Sequence, residues 1–230
     1  MDATALVTGG TGGLGAAVTA ELLDSGWRVV VPWVEPSKLE RVGRRDGLEL
    51  VEADLFDPGA ARAAVEHAAR DAHVPLRAVV NLVGGYAGGA KVADTPVEDF
   101  EQQLRLNLRP TYLVTQAALP HLVEAGGGAV VCVSSRAAVR PFPGAAGYVT
   151  AKAAVLAFAQ AVAAEYKADG VRCNAILPSV IDTPANRAAQ PGADHAKWVP
   201  PERVAALIRF LCSDESAATS SAAIPVYGRA

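Results

Sequence analysis

Short, continuously apolar runs alternate along the chain with longer stretches whose apolar positions follow helical spacing. Runs such as AVVNLV and GAVVCVS are typical of parallel strands that helices cover on both faces. The pattern predicts strands near 5–8, 28–32, 48–52, 78–82, 129–134, 172–177 and 223–226. It predicts helices near 14–25, 37–43, 59–71, 98–125, 149–168 and 201–212. This order indicates an α/β fold, a Rossmann-type doubly wound parallel sheet of about seven strands with helices on both faces.

The sequence shows no boundary between domains. Its 230 residues can bury one sizeable core, and no linker, internal repeat or low-complexity stretch interrupts them. We therefore predict a single domain over residues 1–230. The longest irregular stretch, 178–201, follows the sixth predicted strand, where loops surround the ligand crevice of such sheets. It is expected to form a lid or a substrate wall, with a plain surface loop as the alternative.

Composition and charge exclude several classes of protein. The net charge is −3, and the only basic cluster, near 38–45, reads as a solvated helix face, so we expect no nucleic-acid partner. The four histidines and three cysteines lack metal-ligand spacing, which predicts no metal site and buried core cysteines in a reducing compartment. No signal peptide precedes the first strand and no apolar run approaches membrane-spanning length. A cytoplasmic protein without a membrane partner is therefore expected.

A glycine-rich turn, ALVTGGTGGLG, joins the first predicted strand to the first predicted helix. Backbone without Cβ atoms can approach a pyrophosphate closely, and a helix N-terminus offers free N–H groups and the positive end of the helix dipole. Glycines in a turn can also be purely structural, but strand–turn–helix is the context that the phosphate-binding motif requires. The turn therefore predicts dinucleotide binding.

Tyr148 and Lys152 lie four residues apart at the start of an apolar helix, so their side chains share one face. A phenol has a pKa near ~10, and an adjacent ammonium favours the phenolate and lowers that value. The pair can therefore move a proton to or from a carbonyl oxygen. Ser135, at the end of the fifth predicted strand, can hydrogen-bond the same oxygen. The alternative is a half-buried aromatic beside a surface lysine.

The glycine turn and the Tyr-x-x-x-Lys motif together resemble the short-chain dehydrogenase/reductase family, over almost the whole chain. Further matches follow in order: Asp54-Leu55, Asn81-Leu82-Val83-Gly84, Asn107, Ser135 thirteen residues before Tyr148, and Pro178-x-x-Ile181-x-Thr183. That spacing favours Ser135 over its neighbour Ser134.

The resemblance implies hydride transfer with Ser135, Tyr148, Lys152 and Asn107 as the catalytic residues. It implies that Lys152 also binds the nicotinamide ribose. Asn107 would hold a water that links Lys152 to solvent, or would only cap or kink its helix before Pro110. The residues predicted to bind the dinucleotide are Gly9, Thr11, Gly12, Gly13, Leu14, Gly15, Trp33, Asp54, Leu55, Asn81, Val83, Gly84, Tyr148, Lys152, Pro178, Ile181 and Thr183.

Two positions depart from the family pattern. The family has an acid for NAD or a base for NADP at the end of the second strand, where this chain has Trp33 followed by Val34. Trp33 either stacks on adenine or fills a surface gap. Because no base stands there, the sequence leans slightly to NAD(H) over NADP(H). The second departure is the C-terminal IPVYGRA, where Tyr227 alters either a subunit contact or the edge of the site.

The substrate signal is fainter. The segments GGYAGG and 182–200 resemble dihydropteridine reductases, a branch of the same family in which an aromatic wall receives a planar ring. Tyr86 and Trp198 are the residues predicted to contact substrate, with loop packing as the alternative for each. That branch generally lacks the serine that this chain has at position 135, which favours a small ketone or secondary alcohol over a pterin.

Two other expectations rest on the same resemblance. A non-catalytic dinucleotide sensor would share the fold, but it would not need the serine, tyrosine and lysine together. Family members also pair through the helices near 98–125 and 149–168, whose alanine-rich face allows close approach. A homodimer or homotetramer is therefore expected, unless that face packs only on its own sheet.

Overall fold

The computed structural model describes residues 2–229, and a single seven-stranded sheet forms its centre. The strands are β1 (Thr4–Thr8), β2 (Arg28–Trp33), β3 (Leu48–Glu52), β4 (Leu76–Asn81), β5 (Gly128–Val133), β6 (Val171–Pro178) and β7 (Ala223–Val226). Their order across the sheet is β3-β2-β1-β4-β5-β6-β7, and every neighbouring pair is parallel. The predicted doubly wound fold is confirmed.

Helices cover the sheet on both faces. They are α1 (Gly13–Asp24), α2 (Pro58–Ala69), α3 (Val97–Glu124), α4 (Ala146–Glu165), α5 (Pro184–Ala189) and α6 (Pro201–Cys212). One core cluster joins α2, α3 and α4 to the sheet, and a second joins α1 and α6 to its other face. In β1, Leu6 belongs to the first cluster while Ala5 and Val7 belong to the second. Burial on both faces explains why the strands are continuously apolar.

Two local expectations differ from the structure. The stretch predicted as a helix near 37–43 is a 3-10 turn at Pro36–Arg41, and it buries none of its residues. Without an apolar face to bury, so short a stretch has no packing that would favour a regular α-helix. The segment 178–201 is not wholly irregular, because Thr183 accepts a hydrogen bond from Asn186 N–H and starts α5, with Pro184 in its first turn.

Helix α3 contains Pro110 and Pro120 yet continues through both. A proline lacks the N–H that would bond to the carbonyl four residues earlier, so each normally weakens a helix interior. Burial of one face of α3 against α2, α4 and the sheet outweighs that loss. Among the described residues one helix, α4, is long and apolar enough to cross a membrane by length and composition, a test that core helices also pass. It packs on α3, β5 and β6.

The three cysteines are free and buried, as the sequence predicts. Cys132 of β5 and Cys173 of β6 belong to the same core cluster. A hydrogen bond with Cys132 and burial raise the pKa of Cys173, and burial raises that of Cys212 to about 12. Cys173 and Cys212 are therefore neutral thiols, and all three cysteines are core residues.

Candidate active site

The predicted site residues converge at the carboxyl edge of the sheet. The strand order reverses direction between β1 and β4, which lie side by side although they are far apart in sequence. In doubly wound sheets the ligand crevice opens at this switch point. The glycine turn follows β1, the segment 81–85 follows β4, and Ser135 follows β5. These motifs, which lie far apart in the sequence, therefore border one crevice.

Close backbone packing explains the glycines of the first turn. A Cβ atom on Gly15 would lie 2.0 Å from the carbonyl oxygen of Gly9, and Gly9 itself has a φ of +66°. Residues with side chains are excluded from both positions. Gly12 is the N-cap of α1 and provides no side-chain hydrogen bond to the first helical N–H groups. These groups point out of the helix start, which is the arrangement that binds a phosphate.

The turn after β4 contacts both α3 and α4. A Cβ atom on Gly84 would lie 2.6 Å from Asn107 Oδ1 and 3.1 Å from Lys152 Nζ, so only glycine fits. Thr8 Oγ1 accepts a hydrogen bond of 3.0 Å from Leu82 N–H and so ties this turn to β1. The side chain of Asn81 is buried and donates to Thr115 Oγ1 of α3 at 3.0 Å.

Asn107 is fully buried, and it fixes the backbone of the same turn. Its Oδ1 accepts from Gly85 N–H at 3.1 Å, and its Nδ2 donates to the carbonyl of Gly85 at 3.0 Å. The same Nδ2 donates to the carbonyl of Gln103 within α3 at 3.0 Å. The amide therefore clamps the turn after β4 to the helix. Asn107 does not cap a helix end, because α3 runs on to Glu124.

The two neighbouring serines have different roles. Ser134 donates its hydroxyl to the backbone carbonyl of Lys152 at 2.7 Å and is buried, so it anchors α4 to β5. Ser135 Oγ accepts from Ala137 N–H at 3.1 Å, and the Ser135 side chain interacts with the Tyr148 phenol and lowers its pKa. The structure therefore brings Ser135, and not Ser134, to the tyrosine, in agreement with the sequence spacing.

Tyr148 and Lys152 share one face of α4, but their electrostatics differ from expectation. Burial raises the pKa of Tyr148, the Ser135 hydrogen bond lowers it, and nearby Tyr86 raises it further. Lys152 is only 6 % exposed, and burial lowers its pKa to about 8. Its Nζ donates to the Val133 carbonyl at 2.9 Å and lies 5.9 Å from the centre of the Tyr148 ring. The expectation that the ammonium lowers the phenol pKa is therefore wrong for this structure, in which desolvation is the largest effect and raises that pKa.

Aromatic side chains form one wall beside the phenol. The rings of Tyr86 and Tyr148 meet edge to face with centroids 5.1 Å apart, and Phe142 lies 6.1 Å from Tyr86. Tyr86 is 57 % exposed and Phe142 is 46 % exposed, so the wall is open to a ligand. Trp198 is different: it is 8 % exposed, and its ring centroid lies 4.3 Å from that of His195 in the same segment.

The segment after β6 reaches back to the glycine turn. Pro178 is the buried last residue of β6, and Ile181 forms an isolated bridge with Val199. Thr183 is buried next to Gly13, where an added Cβ atom would lie 2.9 Å from Thr183 Cβ. The first residues of this segment and the glycine turn therefore line the same side of the crevice.

The far end of the crevice holds the remaining predicted residues. Trp33 ends β2 and is partly exposed. Asp54 is exposed and accepts from Phe56 N–H at 2.9 Å, while Leu55 is buried in the core. Of the predicted glycine-turn residues, Thr11 is buried and Leu14 packs against the second core cluster. Val83 packs against the first.

Four residues near the site were not predicted. Arg41 Nη1 donates to the carbonyl of Thr11 at 3.5 Å, although thirty residues separate them. Phe142 joins the aromatic wall from between two prolines. Arg136 and Arg140 lie over the ring of Tyr227. Each contact depends on how the loops fold back on each other, and no periodicity in the sequence signals it; only the proximity of RPFPG to Tyr148 could have suggested Phe142.

Known proteins are similar to this chain in sequence and in fold. The family model described as short chain dehydrogenase matches residues 3–194. A 2-(R)-hydroxypropyl-CoM dehydrogenase from Xanthobacter autotrophicus is 34% identical over 192 residues, covering 80% of this chain and 76% of that protein. A 4-formylbenzenesulfonate dehydrogenase from Comamonas testosteroni is 30% identical, covering 97% of this chain and 96% of that protein.

Solved structures agree. A short-chain type dehydrogenase/reductase from Mycobacterium ulcerans superposes with a TM-score of 0.91 at 29% identity, covering 100% of this chain and 90% of that chain. The family model alone spans most of the sequence, and the relatives extend the likeness to nearly all of it. The protein is therefore an oxidoreductase that belongs to the short chain dehydrogenase family.

Proposed function

We propose that this chain transfers a hydride between a nicotinamide dinucleotide and a small ketone or secondary alcohol, with Tyr148 as the general acid/base. The observation that carries the proposal is the phenol of Tyr148, which interacts with Ser135 and whose ring centre lies 5.9 Å from Nζ of the buried Lys152. The two relatives described above are named as dehydrogenases. The proposed unit is one domain over residues 1–230 that acts in the cytoplasm.

The crevice fits a dinucleotide on structural grounds. The glycine turn brings bare backbone against the start of α1, whose N-cap residue contributes no side chain. A pyrophosphate would lie there, held by Gly9 and 11–15. Lys152, Ile181 and Thr183 would hold the nicotinamide end, with Pro178 and the 81–84 turn beneath it. Trp33, Asp54 and Leu55 would border the adenosine.

In the proposed reaction, the substrate carbonyl oxygen accepts hydrogen bonds from Ser135 and Tyr148. Reduced nicotinamide, when bound, supplies the hydride to the carbonyl carbon. The electron pair of the C=O π bond then moves to oxygen, and Tyr148 gives that oxygen its phenol proton. Ser135 stabilises the negative charge while it develops. Alcohol oxidation is the same step in reverse and requires the Tyr148 phenolate.

The protonation states suit reduction near neutral pH. Because burial raises the pKa of Tyr148, its phenol keeps its proton and can act as an acid. Lys152, with a pKa of about 8, still carries its charge at pH 7 and can stabilise the phenolate left after proton transfer. Asn107 positions both groups indirectly, because it fixes the turn that packs against Lys152.

The first test is Tyr148→Phe, assayed with NADH or NADPH and a panel of small ketones. General acid catalysis contributes about 10²–10⁴-fold, so kcat should fall by at least about a hundredfold. Coenzyme binding, followed by quenching of tryptophan fluorescence, should persist because the substitution removes only one oxygen. Equal turnover by wild type and Tyr148→Phe would remove the proposed acid. Coenzyme binding by wild type without any turnover would instead identify a dinucleotide sensor.

A second candidate substrate is a planar, pterin-type ring. The exposed aromatic wall of Tyr86 and Phe142 supports it, since planar rings stack on such surfaces. Quinonoid dihydropterin is therefore included in the same assay, with Tyr86→Leu as the diagnostic variant. If the pterin is the substrate, Tyr86→Leu raises its KM more than that of a simple aliphatic ketone. The contribution of Trp198 to substrate binding stays a proposal, tested by the same comparison with Trp198→Phe.

The choice between NAD(H) and NADP(H) depends on Arg41 in our proposal. The sequence favours NAD(H) because no base follows β2, but the guanidinium of Arg41 reaches the glycine turn from the 3-10 turn at Pro36–Arg41. An arginine at the adenosine end can pair with a 2′-phosphate through two parallel hydrogen bonds. We propose that both coenzymes bind and that Arg41 gives NADP(H) the advantage.

Arg41→Gln should therefore lower kcat/KM for NADPH by about tenfold while leaving that for NADH within about twofold. The control is Arg44→Gln, three residues further along the chain. If Arg41→Gln changes kcat/KM for NADPH and for NADH equally, Arg41 does not bind the 2′-phosphate. If wild type prefers NADH, the slight lean of the sequence to NAD is the better account.

Assembly into a homodimer or homotetramer is proposed to use α3 and α4. The exposed ring of Tyr112 on α3 lies 5.8 Å from that of Phe158 on α4. An apolar pair at the surface of two adjacent helices is a suitable contact for a second copy. Analytical ultracentrifugation that shows only a 23.7 kDa species would contradict this assembly.

A further inference from the structure

Two arginines flank the ring of Tyr227, the residue that departs from the family pattern at the C-terminal end. The Cζ atom of Arg136 lies 5.7 Å from the ring centroid, and that of Arg140 lies 5.9 Å from it. Both distances are those of cation–π contacts. We call these three residues the arginine cluster.

The arginine cluster borders the proposed substrate position. Arg136 directly follows Ser135, whose side chain interacts with Tyr148. Arg140 N–H donates to the Arg136 carbonyl at 2.8 Å, so one turn of chain holds the two arginines together. The cluster is therefore anchored to the residue that would hold the substrate carbonyl.

The third member of the cluster, Tyr227, is held by the segment that follows β6. Tyr227 follows β7, and its backbone carbonyl accepts the hydroxyl of Ser179 at 2.8 Å. Ser179 begins the segment that leads to Ile181 and Thr183. The cluster thus spans from the end of β5 to the start of the predicted substrate wall.

The charges of the arginine cluster are uncompensated within residues 2–229. Arg28, Arg45, Arg70, Arg187 and Arg209 each lie within 4.0 Å of a carboxylate. Neither Arg136 nor Arg140 forms such an ion pair or a side-chain hydrogen bond with the described residues. Two cations held against one ring leave several N–H donors free and repel each other. An oxyanion between them would remove the repulsion and accept charge-assisted hydrogen bonds.

We propose that the arginine cluster binds an anionic group of the substrate, a carboxylate or a sulfonate, while the substrate carbonyl lies between Ser135 and Tyr148. The inference rests on the proposed oxidoreductase function and names its substrate class. The cluster lies beyond β5 and β7, whereas the glycine turn follows β1, two strands from β5 and four from β7. It is therefore separate from the turn that would hold the coenzyme phosphates.

The test compares three ketones that share one aromatic skeleton: acetophenone, 4-acetylbenzoate and 4-acetylbenzenesulfonate. A hydrogen-bonded charge pair should give the two anions an advantage in kcat/KM of about ten- to a hundredfold over acetophenone. The advantage should appear mainly in KM and should shrink when NaCl is raised. The double variant Arg136→Gln/Arg140→Gln should lose most of it, while the Lys/Lys double variant should keep part. Arg62→Gln, an exposed arginine on α2, is the control and should leave the ratio unchanged.

Binding is measured separately, by calorimetry of 4-acetylbenzoate added to the enzyme with saturating NADP⁺. Tighter binding by wild type than by the Gln/Gln variant supports the arginine cluster even if no ketone turns over, in which case only the proposed function fails. Turnover of acetophenone with no anion advantage, or equal affinity of wild type and the Gln/Gln variant for the carboxylate, overturns the cluster and leaves the proposed function standing. Thermal melts of the Gln/Gln and Lys/Lys double variants are the check that both are folded.

Discussion

Lys152 shows how burial governs the chemistry of one residue. Its helical spacing from Tyr148 is visible in the sequence, but its pKa of about 8 arises because the folded chain removes the ammonium from water. The same burial raises the pKa of the phenol. A charged group held in such a place costs stability, and proteins retain one where its chemistry is needed.

Lys152→Met should therefore lower activity and raise stability together. The shift from the ordinary 10.5 to about 8 corresponds to a charging cost on the order of 3 kcal/mol. Loss of the hydrogen bond to Val133 offsets part of it, so we expect a gain in the free energy of unfolding of about 1–2 kcal/mol at pH 7. Turnover should fall by at least about a hundredfold. Urea melts and ketone assays on one protein preparation measure both.

The sign of the pH dependence is a further check on Lys152. Its folded pKa lies below its unfolded value, so the unfolded chain binds more protons between about 8 and 10.5. Wild type should gain stability relative to Lys152→Met as the pH rises through that range. The exposed Lys167, two residues after α4, provides the control: the stability difference between wild type and Lys167→Met should not change with pH in that range. A constant difference between pH 7 and 10 would mean that burial does not lower the pKa of Lys152.

Site residues could be predicted from the sequence where local spacing determines geometry. Tyr148 and Lys152 are i and i+4 on a helix, and Ser135 was separated from Ser134 by its distance from the tyrosine. Arg41, Phe142 and Arg136 could not be identified, since their partners are brought near by loops that fold back from distant strands. The direction of the Tyr148 pKa shift could not be predicted from the sequence either, because desolvation depends on the whole fold.

At the scale of elements, the turn after β4 shows how packing fixes a backbone. Asn107 of α3 bonds to both the N–H and the carbonyl of Gly85, and the preceding Gly84 has no room for a side chain. The turn, α3 and the start of α4 therefore form one packed unit, which we call the joint. The position of Lys152 depends on that joint because its Nζ lies beside Gly84.

Gly84→Ala should disturb this joint. The added methyl would lie 2.6 Å from Asn107 Oδ1, and relief of such a clash typically costs about 1–3 kcal/mol. We expect that loss in unfolding free energy and a fall in kcat of about tenfold, since a 1 Å misplacement near the chemistry is sufficient. Gly192→Ala is the matched control, because a Cβ atom there meets nothing within 4 Å. Identical melts and kinetics for the two variants would show that the turn can shift without cost.

The elements themselves were predicted where they bury apolar faces. All seven strands were found, since helices cover both faces of the sheet and leave continuous apolar runs. The 3-10 turn at Pro36–Arg41 and helix α5 bury no residues. The spacing of their apolar positions therefore does not indicate which kind of helix each one forms. The Thr183-Pro184 start signal was present, but α5 spans only six residues and passed for irregular chain.

At the scale of the whole molecule, a charge cluster ties the sheet to α2. Arg28 of β2 is buried and bonds to Glu49 of β3 at 2.8 Å and to the Ala68 carbonyl at 3.0 Å. His67 and Arg70 contact the second oxygen of Glu49 at 2.7 Å and 2.9 Å. The Arg28 hydrogen bond leads the causes that lower the pKa of Glu49 to about 2.

Glu49→Gln should make the protein less stable at neutral pH but not in acid. The lowered pKa stabilises the fold above the ordinary value of 4.5, and this contribution is lost as the pH falls from there to about 2. Discounted for partial exposure, we expect about 1–2 kcal/mol at pH 7. Urea melts at several pH values, with the exposed Glu66→Gln as control, should show the difference closing in acid. A gap that is as large at pH 3 as at pH 7 would point to lost packing instead.

The contact between Gly13 and Thr183 has one more consequence. Because Thr183, which follows β6, packs directly on Gly13, a coenzyme that displaces the glycine turn also displaces the start of the segment proposed to wall the substrate. Binding of the coenzyme and binding of the substrate are then coupled through Thr183. Coenzyme should enter first and leave last, and steady-state kinetics should follow a compulsory order.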